Sequence, residues 1–175
     1  GRTVTGLCDV GNFIYVTTYG ANNPIRFYPN KNQFAIQHDE GLHYPSHSFS
    51  CFLSASNDTL FSNESTGVRI FKRNNEVLKN DTLGQIFNTT EDKKGNLWIA
   101  AWSYQNMKYS GGLFRYDGKT FQNLKKAFGI TDQEIWTVFY DREQDILWVG
   151  TTDEGLYKIP FESITNYSSE YFNLN

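Results

Sequence analysis

Ile135-Trp136-Thr137-Val138-Phe139-Tyr140-Asp141-Arg142-Glu143-Gln144-Asp145-Ile146-Leu147-Trp148-Val149-Gly150-Thr151, then Glu154-Gly155-Leu156-Tyr157-Lys158-Ile159, is the stretch that decides the fold. An alternating aromatic and β-branched run leads into an acidic turn. A Leu-Trp-Val run follows, then small residues, then Gly-Leu-aromatic-basic. Alternation of this kind reads as short half-buried strands joined by turns. The pattern has a counterpart upstream in Glu91-Asp92-Lys93-Lys94-Gly95-Asn96-Leu97-Trp98-Ile99-Ala100-Ala101 followed by Gly111-Gly112-Leu113-Phe114-Arg115-Tyr116-Asp117. Two weaker copies precede it: Gly11 to Thr18 leading to Ile25-Arg26-Phe27-Tyr28, and Asn57 to Ser62 leading to Gly67-Val68-Arg69-Ile70-Phe71-Lys72.

Anchoring the copies on Tyr15, Leu60, Trp98 and Trp148 gives steps of 45, 38 and 50 residues. A blade of four short strands takes about 40–50 residues, so the period predicts β-propeller blades. The longest step reflects an insertion in the third copy, Trp102 to Ser110. The expected fold class is therefore all-β: about four blades, each a four-stranded antiparallel sheet, either part of a larger propeller or a small ring of about four blades. The 175 residues are expected to make one partial propeller domain, with approximate repeats 1–39, 40–83, 84–131 and 132–175. In the last copy the strands are expected at Ile135–Tyr140, Ile146–Thr151, Gly155–Ile159 and, weakly, Ile164–Tyr167. Leu124 to Phe128 suggests a helical turn within a blade connection. A single blade cannot bury both faces, so stacking and ring closure supply its core and protect its edges. Trp98 and Trp148 are expected to fill the spaces between blades. Gly112 and Gly155, before the third strand, are expected to provide positive φ or close sheet approach.

Composition narrows the function. Aromatics make up 17% of the chain, which suits pleated surfaces better than helix seams. The net charge is −3 and no basic stripe exists, so nucleic acid is not an expected partner. No apolar run approaches the roughly 20 residues that span a bilayer, and no membrane contact is expected of this segment. No signal peptide is visible. The chain opens Gly1-Arg2-Thr3, which reads as a cut from something longer. Cys8 and Cys51 make no disulfide framework; buried thiols and a bridge between neighbouring strands both remain open readings. Five Asn-X-Ser/Thr triplets arise by chance in so Asn-rich a chain and do not indicate glycosylation.

The two strong copies resemble the regulator-propeller repeat. The shared pattern is Asp-X-X-Gly-X-Leu-Trp-Ile-Gly-Thr followed by Gly-Gly-Leu-X-Arg-Tyr-Asp. The resemblance is strong over 86–121 and 135–159 and weak over 1–75. Ala100-Ala101 stands where the pattern has Gly-Thr, and the first two copies lack the Trp. That repeat builds extracytoplasmic sensor regions of hybrid two-component histidine kinases, chiefly of gut Bacteroidetes. The resemblance implies a periplasmic propeller, usually seven-bladed, followed by an immunoglobulin-like segment, a membrane helix and a kinase. Family members sense glycans or their breakdown products.

Candidate chemistry is sparse. His38, His43 and His47 lie near Asp39 and Glu40, but their spacing matches no familiar zinc pattern. The carboxylate pairs Asp39-Glu40, Glu91-Asp92 and Asp153-Glu154 do not form a glycosidase arrangement, because adjacent acids on a strand point to opposite faces. Asp92 and Asp141 occupy equivalent turn positions. No nucleophile elbow or phosphate loop is present. No catalytic residue, metal or cofactor is expected.

Loops entering the first strand of a blade face the mouth of a propeller's channel. This makes His47, Gln85, Gln133 and Glu134 candidate ligand contacts. The insertion carries Trp102, Tyr104 and Tyr109 beside polar groups, the kind of loop that hosts recognition on a rigid scaffold. The expected function is an extracytoplasmic ligand-sensing module, not an enzyme in this segment, that responds to an oligosaccharide or other small ligand. Expected partners are neighbouring propeller or immunoglobulin-like domains of the parent chain, with a homodimer possible through open sheet edges. The competing readings are a polysaccharide lyase or hydrolase, with Asp92 or Glu134 as its test residues, and a protein–protein scaffold.

Overall fold

The computed structural model describes residues 4–9, 12–18, 25–36, 52–55, 59–63, 67–72, 75–103, 110–132 and 134–161. They form four antiparallel sheets in which chain neighbours are sheet neighbours. Sheet 1 contains β1 (Val4–Asp9), β2 (Ile14–Thr18), β3 (Ile25–Tyr28) and β4 (Gln33–Ile36). Sheet 2 contains β5 (Phe52–Ala55), β6 (Thr59–Asn63), β7 (Val68–Lys72) and β8 (Asn75–Asn80). Sheet 3 contains β9 (Gln85–Glu91), β10 (Leu97–Trp102), β11 (Gly112–Tyr116) and β12 (Phe121–Asn123). Sheet 4 contains β13 (Ile135–Asp141), β14 (Ile146–Thr151) and β15 (Leu156–Pro160). The fourth strand expected near Ile164–Tyr167 lies outside the described residues. The turn suggested at Leu124–Phe128 is a short 3-10 turn, Lys126–Phe128, ended by Gly129 at φ 69°.

The chain divides into two compact units, 1–86 and 87–175. In the first, β1 of sheet 1 and β5 of sheet 2 are neighbours. Buried Tyr15 anchors sheet 1: Phe13 meets its ring edge-on at 4.9 Å, and the Arg26 guanidinium lies 4.6 Å from the Phe13 centroid while donating to the Tyr15 hydroxyl at 3.1 Å. Sheet 2 buries Val68 and Ile70. Gly67, just before them, permits a close approach: a Cβ there would lie 1.7 Å from the Asn80 carbonyl oxygen. Gly112, the first residue of β11, and Gly155, just before β15, hold the corresponding place, but at φ 119° and 83°. Both physical reasons for the repeat's glycine thus occur, in different copies.

In the second unit, sheets 3 and 4 face each other across one hydrophobic core. Sheet 3 contributes Trp98, Ala100 and Leu113, and sheet 4 contributes Val138, Tyr140, Leu147, Val149 and Ile159. Strand alternation and register explain the selection. Ala100 pairs with Leu113, Val138 with Val149, and Leu147 with both Tyr140 and Ile159, so each set shares one face. Phe161 meets the Trp98 indole edge-on at 5.7 Å, and Phe128 approaches from 6.3 Å. Trp148 lies on the opposite face of sheet 4 with its pairing partners Phe139 and Lys158; it is half-buried, and the Lys158 ammonium stands 5.7 Å from its ring centroid.

The acidic turns are built as the repeat suggests, but to different strengths. Asp92 is 2% exposed, and its carboxylate accepts bonds from the Lys94 and Asn96 backbone N–H groups, the Asn96 amide and the Trp98 indole N–H at 2.8–2.9 Å. One carboxylate thereby closes the turn and fixes the core tryptophan. Asp141 accepts the Glu143 and Gln144 backbone N–H groups at 2.9 and 3.0 Å. At this end of the sheets Tyr140 donates its hydroxyl to Asp145, whose carboxylate stands 4.0 Å from the Lys93 ammonium. Burial, then the bond to Asp145, pushes the Tyr140 phenol up to about 12.

Candidate functional site

β9 and β13 are edge strands of sheets 3 and 4, and side chains of one satisfy the backbone of the other. Asn88 accepts the Val138 N–H at 3.1 Å, and Thr90 accepts the Tyr140 N–H at 3.4 Å. Two backbone donors that the β13 edge would otherwise leave open are thereby satisfied, and the two edges lie side by side.

The site lies at the end of these strands away from the Asp92 turn. In β13, Ile135 pairs with Thr151 while Thr137 pairs with Gly150, so Trp136 is the extra residue of a β-bulge. A bulge leaves one residue outside the ladder and re-aims its side chain. The Trp136 indole stacks on Phe87 of β9, with centroids 4.3 Å apart and planes 24° apart. Trp102, at the end of β10, continues the group at 6.0 Å from Trp136 and 5.8 Å from Phe87. Although stacked, Trp136 remains 45% exposed.

Its orientation is fixed. The Trp136 indole N–H donates to the Thr152 hydroxyl at 2.6 Å, and the Thr152 backbone N–H donates to the Glu134 carbonyl at 3.1 Å. Asp132 ties the surrounding loops together by accepting the Glu134 N–H at 2.8 Å and the Asp153 N–H at 2.9 Å. Glu154 accepts the Thr131 hydroxyl, the Thr131 N–H at 3.1 Å and the Tyr157 hydroxyl at 2.7 Å. Those donors, Thr131 first, hold its carboxyl down to about 2. The result is a broad aromatic face on a pre-organised support. Such a face suits the C–H side of a sugar ring or another flat apolar group, with loop oxygens nearby to take hydrogen bonds.

Of the residues singled out from sequence, Trp102 belongs to the stack and Glu134 supports it through its backbone. Gln85 opens β9 and is half-buried. Trp98 lies in the core rather than at this site. His47, Gln133, Tyr104 and Tyr109 fall outside the described residues, as do the three-histidine cluster and the pairing of Cys8 with Cys51. The sequence pattern places Trp136 in a strand and does not single out Phe87. Their common signal was available: each stands five residues before the turn aspartate of its copy. The bulge that exposes Trp136 has no comparable signature. Asp92, a test residue of the enzyme reading, is buried and spends its carboxylate on four donors.

Comparisons with solved structures bear on the fold. The chain is similar to the extracellular domain of a hybrid two-component system of B. thetaiotaomicron, at 18% identity and TM-score 0.69, over 91% of this chain and 21% of that one. It is also similar to a chain of the nidogen/laminin complex, at 16% identity and TM-score 0.64, over 86% of this chain and 57% of that one. A third is an ancestral GH74 enzyme, at 14% identity and TM-score 0.62, over 91% of this chain and 23% of that one. This chain spans about a fifth of the first of these. No protein-family model and no curated protein matches it. At these identities the likeness concerns fold alone, and the four sheets are β-propeller blades, the architecture that the regulator-propeller resemblance implies.

Proposed function

We propose that this chain is part of an extracytoplasmic, ligand-sensing propeller of a two-component signalling protein, and that it recognises a glycan-derived ligand without chemical turnover. The observation that carries the reading is Trp136: an indole turned out of its strand by a bulge, backed by Phe87 and Trp102, bonded through its N–H, and left uncovered. A core residue has no need of that arrangement, whereas a stacking platform does. The fold shared with an extracellular domain of a hybrid two-component system supports the sensor role and the periplasmic location. Signalling would follow from differential affinity: ligand favours one arrangement of neighbouring propeller or immunoglobulin-like domains, and that bias passes through the membrane.

Isothermal titration of the protein against a panel of oligosaccharides tests this. A saturable heat from at least one sugar, abolished in Trp136→Ala, is expected. Failure of every sugar to bind, or binding untouched by Trp136→Ala, would remove the proposal. Release of product from a bound polysaccharide would replace it with the enzyme reading.

A further inference from the structure

The loops that support Trp136 have a one-sided charge. Asp132, Glu134, Asp153 and Glu154 all belong to the two segments joined by the Asp132 and Glu154 bonds. Thr152, whose hydroxyl holds the indole, is directly followed by Asp153 and receives its backbone acceptor from Glu134. Among the described residues, the cation bonded to these loops is Lys125. Its ammonium donates to the Thr131 and Asp132 carbonyls, at 3.5 and 3.4 Å, on the blade connection, one cation beside four acids. The indole N–H, the donor that could have met an anion, is already committed to Thr152. The remaining surface is the negative face of an aromatic ring.

Resting on the reading of Trp136 as a saccharide platform, we infer that the site selects glycans by charge: it takes saccharides without negative charge and rejects uronate-bearing or sulfated ones. Two physical terms agree. An anion placed on the platform lies against a ring quadrupole of the wrong sign. It meets a loop cluster of four acids, in which the Asp132 and Glu154 carboxylates are held by the backbone N–H groups of Glu134, Asp153 and Thr131. A neutral sugar instead donates its hydroxyls to the same carboxylates. Glu154, held well below the usual carboxylate range, keeps its charge through any mildly acidic medium. Like charges brought together at an interface oppose binding strongly, and salt weakens the effect over a screening length of about 8 Å at physiological ionic strength.

The test is calorimetric titration of the wild-type protein with size-matched neutral and uronate oligosaccharides at about 20 mM and about 500 mM salt. The neutral sugar is expected to bind equally at both. The uronate sugar is expected to bind at least about tenfold more weakly at low salt, with the gap narrowing at high salt and in Glu134→Gln/Asp153→Asn. Circular dichroism of that variant checks its fold. Uronate binding as tight as neutral binding at low salt, or a gap that the double variant leaves unchanged, overturns the charge selection while the platform stands. If neither sugar binds, or Trp136→Ala leaves both affinities intact, the platform itself is wrong and the selectivity falls with it.

Discussion

Trp98 and Trp136 belong to adjoining sheets of one unit, and both spend the indole N–H on an oxygen of a nearby turn. Trp98 gives it to buried Asp92 and is 0% exposed beneath Phe128 and Phe161. Trp136 gives it to Thr152 and remains 45% exposed above Phe87. The polar handle is satisfied in both places, so hydrogen bonding does not distinguish them. Coverage does. One indole has sheet 4 closed over it; the other has been lifted out of its ladder by a bulge and fixed there. The same residue type thus holds two sheets together at one place and presents a rigid face at another.

The largest effect should come from the core tryptophan. Trp98→Ala is expected to cost about 3–5 kcal/mol in urea unfolding, because it removes the side chain that fills the space between two sheets. Next is its acceptor. Asp92→Asn would turn an NH₂ group towards the Asn96 amide and the Trp98 indole N–H, two donors, at a cost of about 2–3 kcal/mol. Asp141→Asn keeps the one oxygen that its two backbone donors use and should cost under about 0.5 kcal/mol by the same assay.

Tyr140 sharpens the comparison through pH. Its phenol titrates higher in the folded state than the ordinary value of 10, near 12. The stabilisation from its protonated form is therefore complete below about pH 10 and is lost as pH rises towards 12. Wild-type stability should fall across that window, whereas Tyr140→Phe, weaker by about 1 kcal/mol at pH 7, should lack this step.

An effect on stability as small as that of Asp141→Asn is expected on the outer face of sheet 4. Phe139 and Leu156 are 62% and 65% exposed there, beside half-buried Trp148. By repeat position this face corresponds to the one that carries Trp98, which another blade covers. Phe139→Ser/Leu156→Ser should change unfolding by no more than about 0.5 kcal/mol. It should also lower the self-association that light scattering is expected to detect in the wild-type protein.

Much of the fold was legible in the sequence because propeller blades repeat their local chemistry. The Asp92 and Asp141 turns, the Leu-Trp-aliphatic runs and the glycines at the start of β11 and before β15 each announce a strand boundary in two copies. The site was less legible. Trp102 was visible because its insertion breaks the repeat. Phe87 and Trp136 were hidden because an aromatic residue in a strand ordinarily signals core. Only the register shift between Ile135 and Thr137, a property of paired backbones, shows that one of them is turned outward. The different coverage of Trp98 and Trp148, which hold equivalent places in their own sheets, likewise depends on the neighbouring blade, which no single repeat encodes.

The most direct test is the unfolding free energy of Trp136→Ala, measured in urea alongside Trp98→Ala as the internal scale. A platform that is stacked but uncovered should lose no more than about 1.5 kcal/mol, well short of the loss at Trp98. A loss at Trp136 equal to that at Trp98 would mean that the indole is a structural wedge, and the recognition surface would have to be sought elsewhere.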